Sequence, residues 1–114
     1  MMRDELTTIV LEALEDLKAQ DITQLNVTGL SDVMDQLIIA SGTSNRHVKS
    51  LADHVIGKAK EKGYKPIGVE GMENADWVLV DFGDTVIHLM LPQTRTLYDL
   101  EGLWSVITSI DSVE

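Results

Sequence analysis

An α/β domain of the α+β kind, with a mixed β-sheet of about five strands and helices packed on it, is predicted by three features of this 114-residue sequence. Segments of helical and strand periodicity follow one another in the order α-β-β-α-β-β-β-α, which calls for helices laid on a mixed sheet. Two apolar strand-like runs flank Gly83-Asp84, a two-residue hairpin signal with Gly first, as a type II′ turn requires. No repeat, low-complexity tract or Pro/Ser linker divides the chain, so one domain over 1–105 and a short tail over 106–114 are expected. A chain of this length buries roughly two thirds of its unfolded surface, enough for one ordinary core.

The elements follow from the periodicities. Leu6, Ile9, Val10, Ala13, Leu14 and Leu17 recur at helical spacing and predict an amphipathic helix over residues 4–19. Ile22 to Val27 alternates and stops at Thr28-Gly29, as a short strand would. Val33 to Ser41 ends in a continuous apolar run, suited to a central strand covered on both faces. After the Ser41-Gly42-Thr43-Ser44 turn, Ser44 is a good N-cap for a helix burying Val48, Leu51, Ala52, Val55, Ile56 and Ala59. Lys58, Lys60 and Lys62 complement the end of its dipole, and Gly63 suits the C′ position. Pro66 to Val69 is a short strand and Glu70 to Ala75 a polar loop. The hairpin register then pairs Val78 with Leu89 and Val80 with Ile87 on an apolar face. The other face pairs Trp77 with Met90, Leu79 with His88 and Asp81 with Val86, mixing an aromatic, a carboxylate and an imidazole. A last helix opens near Pro92 and sets Leu97, Leu100, Leu103 and Trp104 on one side. Gly102 costs that helix about 1 kcal/mol relative to Ala.

Composition narrows the function. Cysteine is absent, which excludes disulfides, thiolate zinc sites and cysteine nucleophiles. The acidic, periodic N-terminus is no secretory signal, and the apolar runs are far too short for a bilayer, so a cytoplasmic protein without membrane contact is expected. Net charge is −10, distributed as −6 over residues 1–43, +4 over 44–65 and −8 over 66–114. Such a balance repels nucleic acid in general and favours a basic partner for the stretch from Trp77 to Trp104.

Catalytic arrangements are poorly served. The Ser41–Ser44 turn offers backbone N–H groups to an anion, but it lacks the P-loop Gly-Lys pair and is not GxGxxG, so an N-cap is the preferred reading. Polymerase-like nucleotidyl transfer needs two carboxylates two apart on a strand. The only acidic pair at that spacing, Asp99 and Glu101, falls on a predicted helix. His47 and His54 are seven apart, not the i, i+4 pair of a zinc helix, so neither a metal nor another cofactor is expected. His88 lies diagonally opposite Asp81, and a hydrogen-bonded pair that fixes the sheet surface is preferred over a catalytic dyad. For Trp77, core packing and interface contact stand level; for Trp104, core packing leads.

Three blocks then carry a resemblance that spans nearly the whole chain. Gly42-Thr43-Ser44-Asn45-Arg46-His47-Val48 with Ala52-Asp53-His54-Val55 is one. Gly68-Val69-Glu70-Gly71, Asp76 to Asp84 and His88-Leu89-Met90 form the second, and Arg95 to Trp104 the third. In this order they resemble the ribosomal silencing factor family. The resemblance implies a nucleotidyltransferase-like fold without enzymatic activity or catalytic residues, and homodimers in some members. It also implies a translational repressor that binds the large ribosomal subunit through ribosomal protein L-fourteen and blocks joining of the small subunit when nutrients are scarce. On that basis Glu70, Asp76, Trp77, Leu79, Asp81, His88 and Tyr98, with Leu100 at the edge, are the expected contact surface. Two other readings stay open: a nucleotide-binding or nucleotidyltransferase-like enzyme using the Ser41–Ser44 turn, and a contact of the basic second helix (Arg46, Lys49, Lys58 and Lys62) with ribosomal RNA.

Overall fold

In the computed structural model of the chain, residues 2–26 and 36–98 are described. They form α1 (Met2–Asp16), β1 (Gln20–Asn26), β2 (Gln36–Ser41), α2 (Asn45–Glu61), β3 (Gly68–Glu70), β4 (Trp77–Asp81), β5 (Thr85–Met90) and α3 (Pro92–Tyr98). The strands make one five-stranded sheet in the order β1-β2-β5-β4-β3. The β2–β5 pair is parallel and the rest are antiparallel, so the sheet is mixed as predicted. All six residues of β2 are buried, as its continuous apolar run requires of a central strand.

The hairpin has the predicted register: Val78 pairs with Leu89, Val80 with Ile87, Trp77 with Met90, Leu79 with His88 and Asp81 with Val86. Gly83 adopts φ +94° while Asp84 stays out of the left-handed region, the combination a II′ turn needs. Alternation along the strands divides the sheet into two chemically different faces. On the first, Ile38, Ala40, Val78, Val80, Ile87 and Leu89 pack against Leu6, Val10 and Leu14 of α1 and Val48, Leu51 and Val55 of α2. The second carries a smaller cluster of Leu37, Ile39 and Met90, with Leu25, Trp77 and Val86 partly buried against it.

Element ends depart from the periodicity where side chains or backbone close the chain earlier. α1 stops at Asp16, not residue 19, because Lys18 turns left-handed (φ +59°). The Lys18 and Ala19 N–H groups then donate to the Glu15 and Leu14 carbonyls at 3.0 and 2.9 Å, a Schellman closure. Lys62, Gly63 and Tyr64 close α2 in the same way, with Gly63 at the predicted C′ position (φ +90°). At the start of α2, Ser44 caps as predicted, its hydroxyl accepting from the His47 N–H at 3.1 Å. β1 begins two residues early at a bulge around Asp21 (φ +49°), a conformation that Asp tolerates better than most residues. β3 runs from Gly68 to Glu70 rather than from Pro66 to Val69; a proline lacks the N–H that a ladder uses. Ile56, expected in the core, is only partly buried.

Leu97 corrects the expectation for the last helix: it is 76% exposed rather than packed. Arg95 explains this, since its guanidinium reaches back to the Ser41 hydroxyl at 3.0 Å and the Thr23 hydroxyl at 2.9 Å. With Arg95 turned to the sheet, a residue two positions on projects roughly 200° around the helix and faces away. Val27, Val33, Leu100, Gly102, Leu103, Trp104 and the Ser105–Glu114 tail lie outside the described residues.

Candidate functional site

Strand parity places Glu70, Trp77, Leu79, Asp81 and His88 on the second face of the sheet, away from α1 and α2. Their exposures differ with position. Glu70 on the edge strand is exposed, Trp77, Leu79 and Asp81 on β4 are half-buried, and His88 on the inner strand β5 is buried. The mixed face is therefore graded: an apolar centre at Leu37, Ile39 and Met90 gives way to an aromatic and acidic margin at β4 and β3.

The predicted Asp81–His88 pair is replaced by two other bonds. The Trp77 indole N–H donates to His88 Nδ1 at 2.8 Å, with ring centroids 5.7 Å apart. Asp81 turns instead to the hairpin, its Oδ1 accepting from the Gly83 N–H at 2.7 Å. Both Trp77 and Asp81 are diagonal neighbours of His88, but strand twist makes the two diagonals unequal. A carboxylate two residues before a tight turn also finds a local N–H at little entropic cost. Because indole nitrogen only donates, the bond requires Nδ1 to be unprotonated, so neutral His88 carries its proton on Nε2. Burial acts in the same direction and pushes the imidazole down to about 4. His88 is thus a neutral support for Trp77, not a charged contact group.

Trp77 is positioned by the loop before it. Gly71 (φ +88°) packs so closely on this segment that a Cβ there would stand 2.1 Å from the Trp77 carbonyl oxygen. The Ala75 N–H returns to the Gly71 carbonyl at 2.9 Å, and Ala75 is left-handed and buried. The first residue of α2 clips the loop: Asn45 Nδ2 donates to the Asn74 carbonyl at 2.9 Å and to Asp76 Oδ1 at 2.5 Å. Asp76 is exposed, yet its carboxylate is engaged within the fold. Tyr98 closes α3, and Leu100 lies beyond the described residues. Gly71 and Asn45 stand in the family blocks of the sequence, but their role in positioning Trp77 was missed, since locally they read as a loop glycine and a polar residue after the cap.

At the Ser41–Ser44 turn, three N–H groups that could cradle a phosphate already have acceptors. Gly42 N–H donates to the Met90 carbonyl at 3.1 Å, Thr43 N–H to His47 Nδ1 at 2.8 Å, and His47 N–H to the Ser44 hydroxyl. His47 in turn donates from Nε2 to the Leu17 carbonyl at 2.7 Å, tying the end of α1 to the start of α2. A cavity of about 760 Å³ adjoins Ser41, lined by Asp21, Ile22, Thr23, Pro92, Arg95 and Thr96, and its cation is held by two hydroxyls. Among the described residues, no cluster of three His, Asp or Glu side chains could hold a metal ion, and no helix is long and apolar enough to cross a membrane.

Comparison with known proteins agrees with the blocks read from the sequence. A family model described as "Ribosomal silencing factor during starvation" matches residues 2–114. A ribosomal silencing factor of Chromobacterium violaceum is 48% identical over 100 residues, covering 88% of this chain and 82% of its own length. One from Haemophilus influenzae is 40% identical over 100 residues, covering 88% and 98% respectively. A mouse protein named for mitochondrial assembly of the ribosomal large subunit is 36% identical over 101 residues, 86% of this chain and 44% of its own. A crystal structure of a Chromobacterium violaceum protein superposes with a TM-score of 0.87 at 47% identity, covering 90% of this chain and 85% of that one. The chain belongs to the ribosomal silencing factor family.

Proposed function

We propose that this protein represses translation in the cytoplasm by occupying the large ribosomal subunit through ribosomal protein L-fourteen, so that the small subunit cannot join. Family membership supports the ribosomal setting. The observation that carries the reading to particular residues is the margin of the second sheet face, where half-buried Leu79 lies beside Glu70 and between Trp77 and Asp81 along β4. An aromatic anchor inside an acidic rim suits a basic protein surface: the charges steer the encounter and the ring supplies desolvated contact. Glu70, Trp77, Leu79 and Asp81 make the contact; His88 orients Trp77, and Asp76, held by Asn45, shapes the adjoining loop. Tyr98, the last residue of α3, and Leu100, outside the described residues, are carried from the sequence reading as further contacts. No bond is made or broken in this role, since steric occupancy alone separates the subunits.

Sedimentation of the purified protein with separated ribosomal subunits tests this reading. Co-migration with the large subunit alone, and fewer joined ribosomes when the protein is added, are expected. Binding to neither subunit would sink it.

A further inference from the structure

The structure assigns a second recognition element to the edge of the same surface: the free side of β3 accepts an extended basic segment of the partner as a sixth strand. This inference deepens the reading above and rests on it. Among the described residues, β3 ends the sheet and is hydrogen-bonded only to β4, with the ladder extended by the Ile67 N–H donating to the Asp81 carbonyl at 2.6 Å. Ile67 and Val69 are 73% and 37% exposed, and alternation puts both on one side of the strand. Two β-branched apolar side chains beside an unpaired ladder form a template for strand addition.

The opposite edge is built differently. β1 carries a bulge at Asp21 and exposes Gln20, Asp21, Gln24 and Asn26, the polar and irregular features that guard an edge against pairing. At β3 the surrounding charge selects the occupant. Glu70 on the strand, Glu73 and Asp76 in the following loop, and Asp84 on the hairpin turn are all exposed. No Lys or Arg occurs between Lys65 and Arg95. A second copy of the chain would bring its own Glu70 and a net charge of −10 to the same edge. A strand bearing Lys or Arg opposite Glu70, with an apolar side chain beside Ile67 and Val69, is complementary instead.

Hydrogen exchange of the full chain, free and bound to purified large ribosomal subunits, reads the backbone directly. The amides of Gly68 and Glu70, which alternate with the bonded Ile67 N–H and so face the free edge, are expected to slow by about tenfold or more on binding. An Ile67→Thr, Val69→Thr double variant, which keeps charge and strand propensity, is expected to bind the subunit about tenfold more weakly with an unchanged melting temperature. Wild-type binding with unchanged exchange at β3, or a double variant that binds like wild type, overturns the strand addition and leaves the sheet-face reading standing. Protection of β3 in the free protein that grows with concentration makes a second copy the occupant and also overturns it. If the wild type binds no subunit at all, both readings fall together.

Discussion

Trp77 and His88 illustrate how a single hydrogen bond can decide what a titratable residue is for. The indole donates to His88 Nδ1, so protonating the imidazole there breaks the bond, and burial already disfavours the charge. Trp77→Phe keeps the ring in place but leaves a buried acceptor unpaired, at a cost of about 1–3 kcal/mol. The melt should stay cooperative, while an NMR titration should show the His88 value still well below 6.5, because burial, the cause of its depression, remains. Trp77→Ala should in addition weaken binding to the large subunit; unfolding of the domain instead would make Trp77 a core residue. The same imidazole predicts a pH dependence. Its value falls from 6.5 in the unfolded chain to about 4 in the fold, so the unfolded state takes up the proton first as pH drops. Stability is therefore complete above pH 6.5 and declines towards pH 4, by an amount on the order of 3 kcal/mol. Urea titrations across that range should show the decline, and His88→Gln should flatten it.

Between residue and fold stands the loop from Gly71 to Asp76, which connects two elements by very local means. Its geometry combines a left-handed Gly71, a left-handed buried Ala75 and a clip from the first residue of α2. An added Cβ at Gly71 meets the Trp77 carbonyl at a distance no backbone tolerates. Gly71→Ala should therefore destabilise by more than about 2 kcal/mol, through left-handed strain plus displacement of β4. Thermal unfolding would measure this, and a melting temperature equal to wild type would show that the loop yields elsewhere. Much of this scale was legible in the sequence, including the hairpin register, the Ser44 cap and the Gly63 stop. The early end of α1 was not, because Lys18 takes a left-handed conformation that composition associates with glycine.

Charge is a property of the whole molecule, and the fold sorts it. The basic residues of α2 belong to the helix layer, while Glu70 and Asp81 project from the opposite sheet face. Lys58 and Lys62 share a groove with Glu12 and Asp16 of α1, which offsets part of the positive field of that helix. Binding through the acidic face should thus depend only modestly on salt: raising it from about 50 to about 200 mM should weaken the complex by less than about tenfold. A loss approaching a thousandfold would point to several phosphate contacts, and hence to the RNA reading of α2. Equilibrium sedimentation with large subunits at several salt concentrations distinguishes the two.

The sequence by itself determined the elements, their order and the sheet parity, because period and turn chemistry are local properties that each strand carries with it. It thereby placed Trp77, Leu79, Asp81 and His88 on one face before any tertiary contact was known, and the family blocks were legible in the same residues. What only the tertiary structure decided was which of these groups meet. Strand twist gave His88 to Trp77 rather than to Asp81, and the position of β5 inside the sheet buried the imidazole. The Arg95 anchor turned Leu97 outward, and Asn45, distant in sequence, took hold of Asp76. Those outcomes depend on distances between segments that no local pattern encodes.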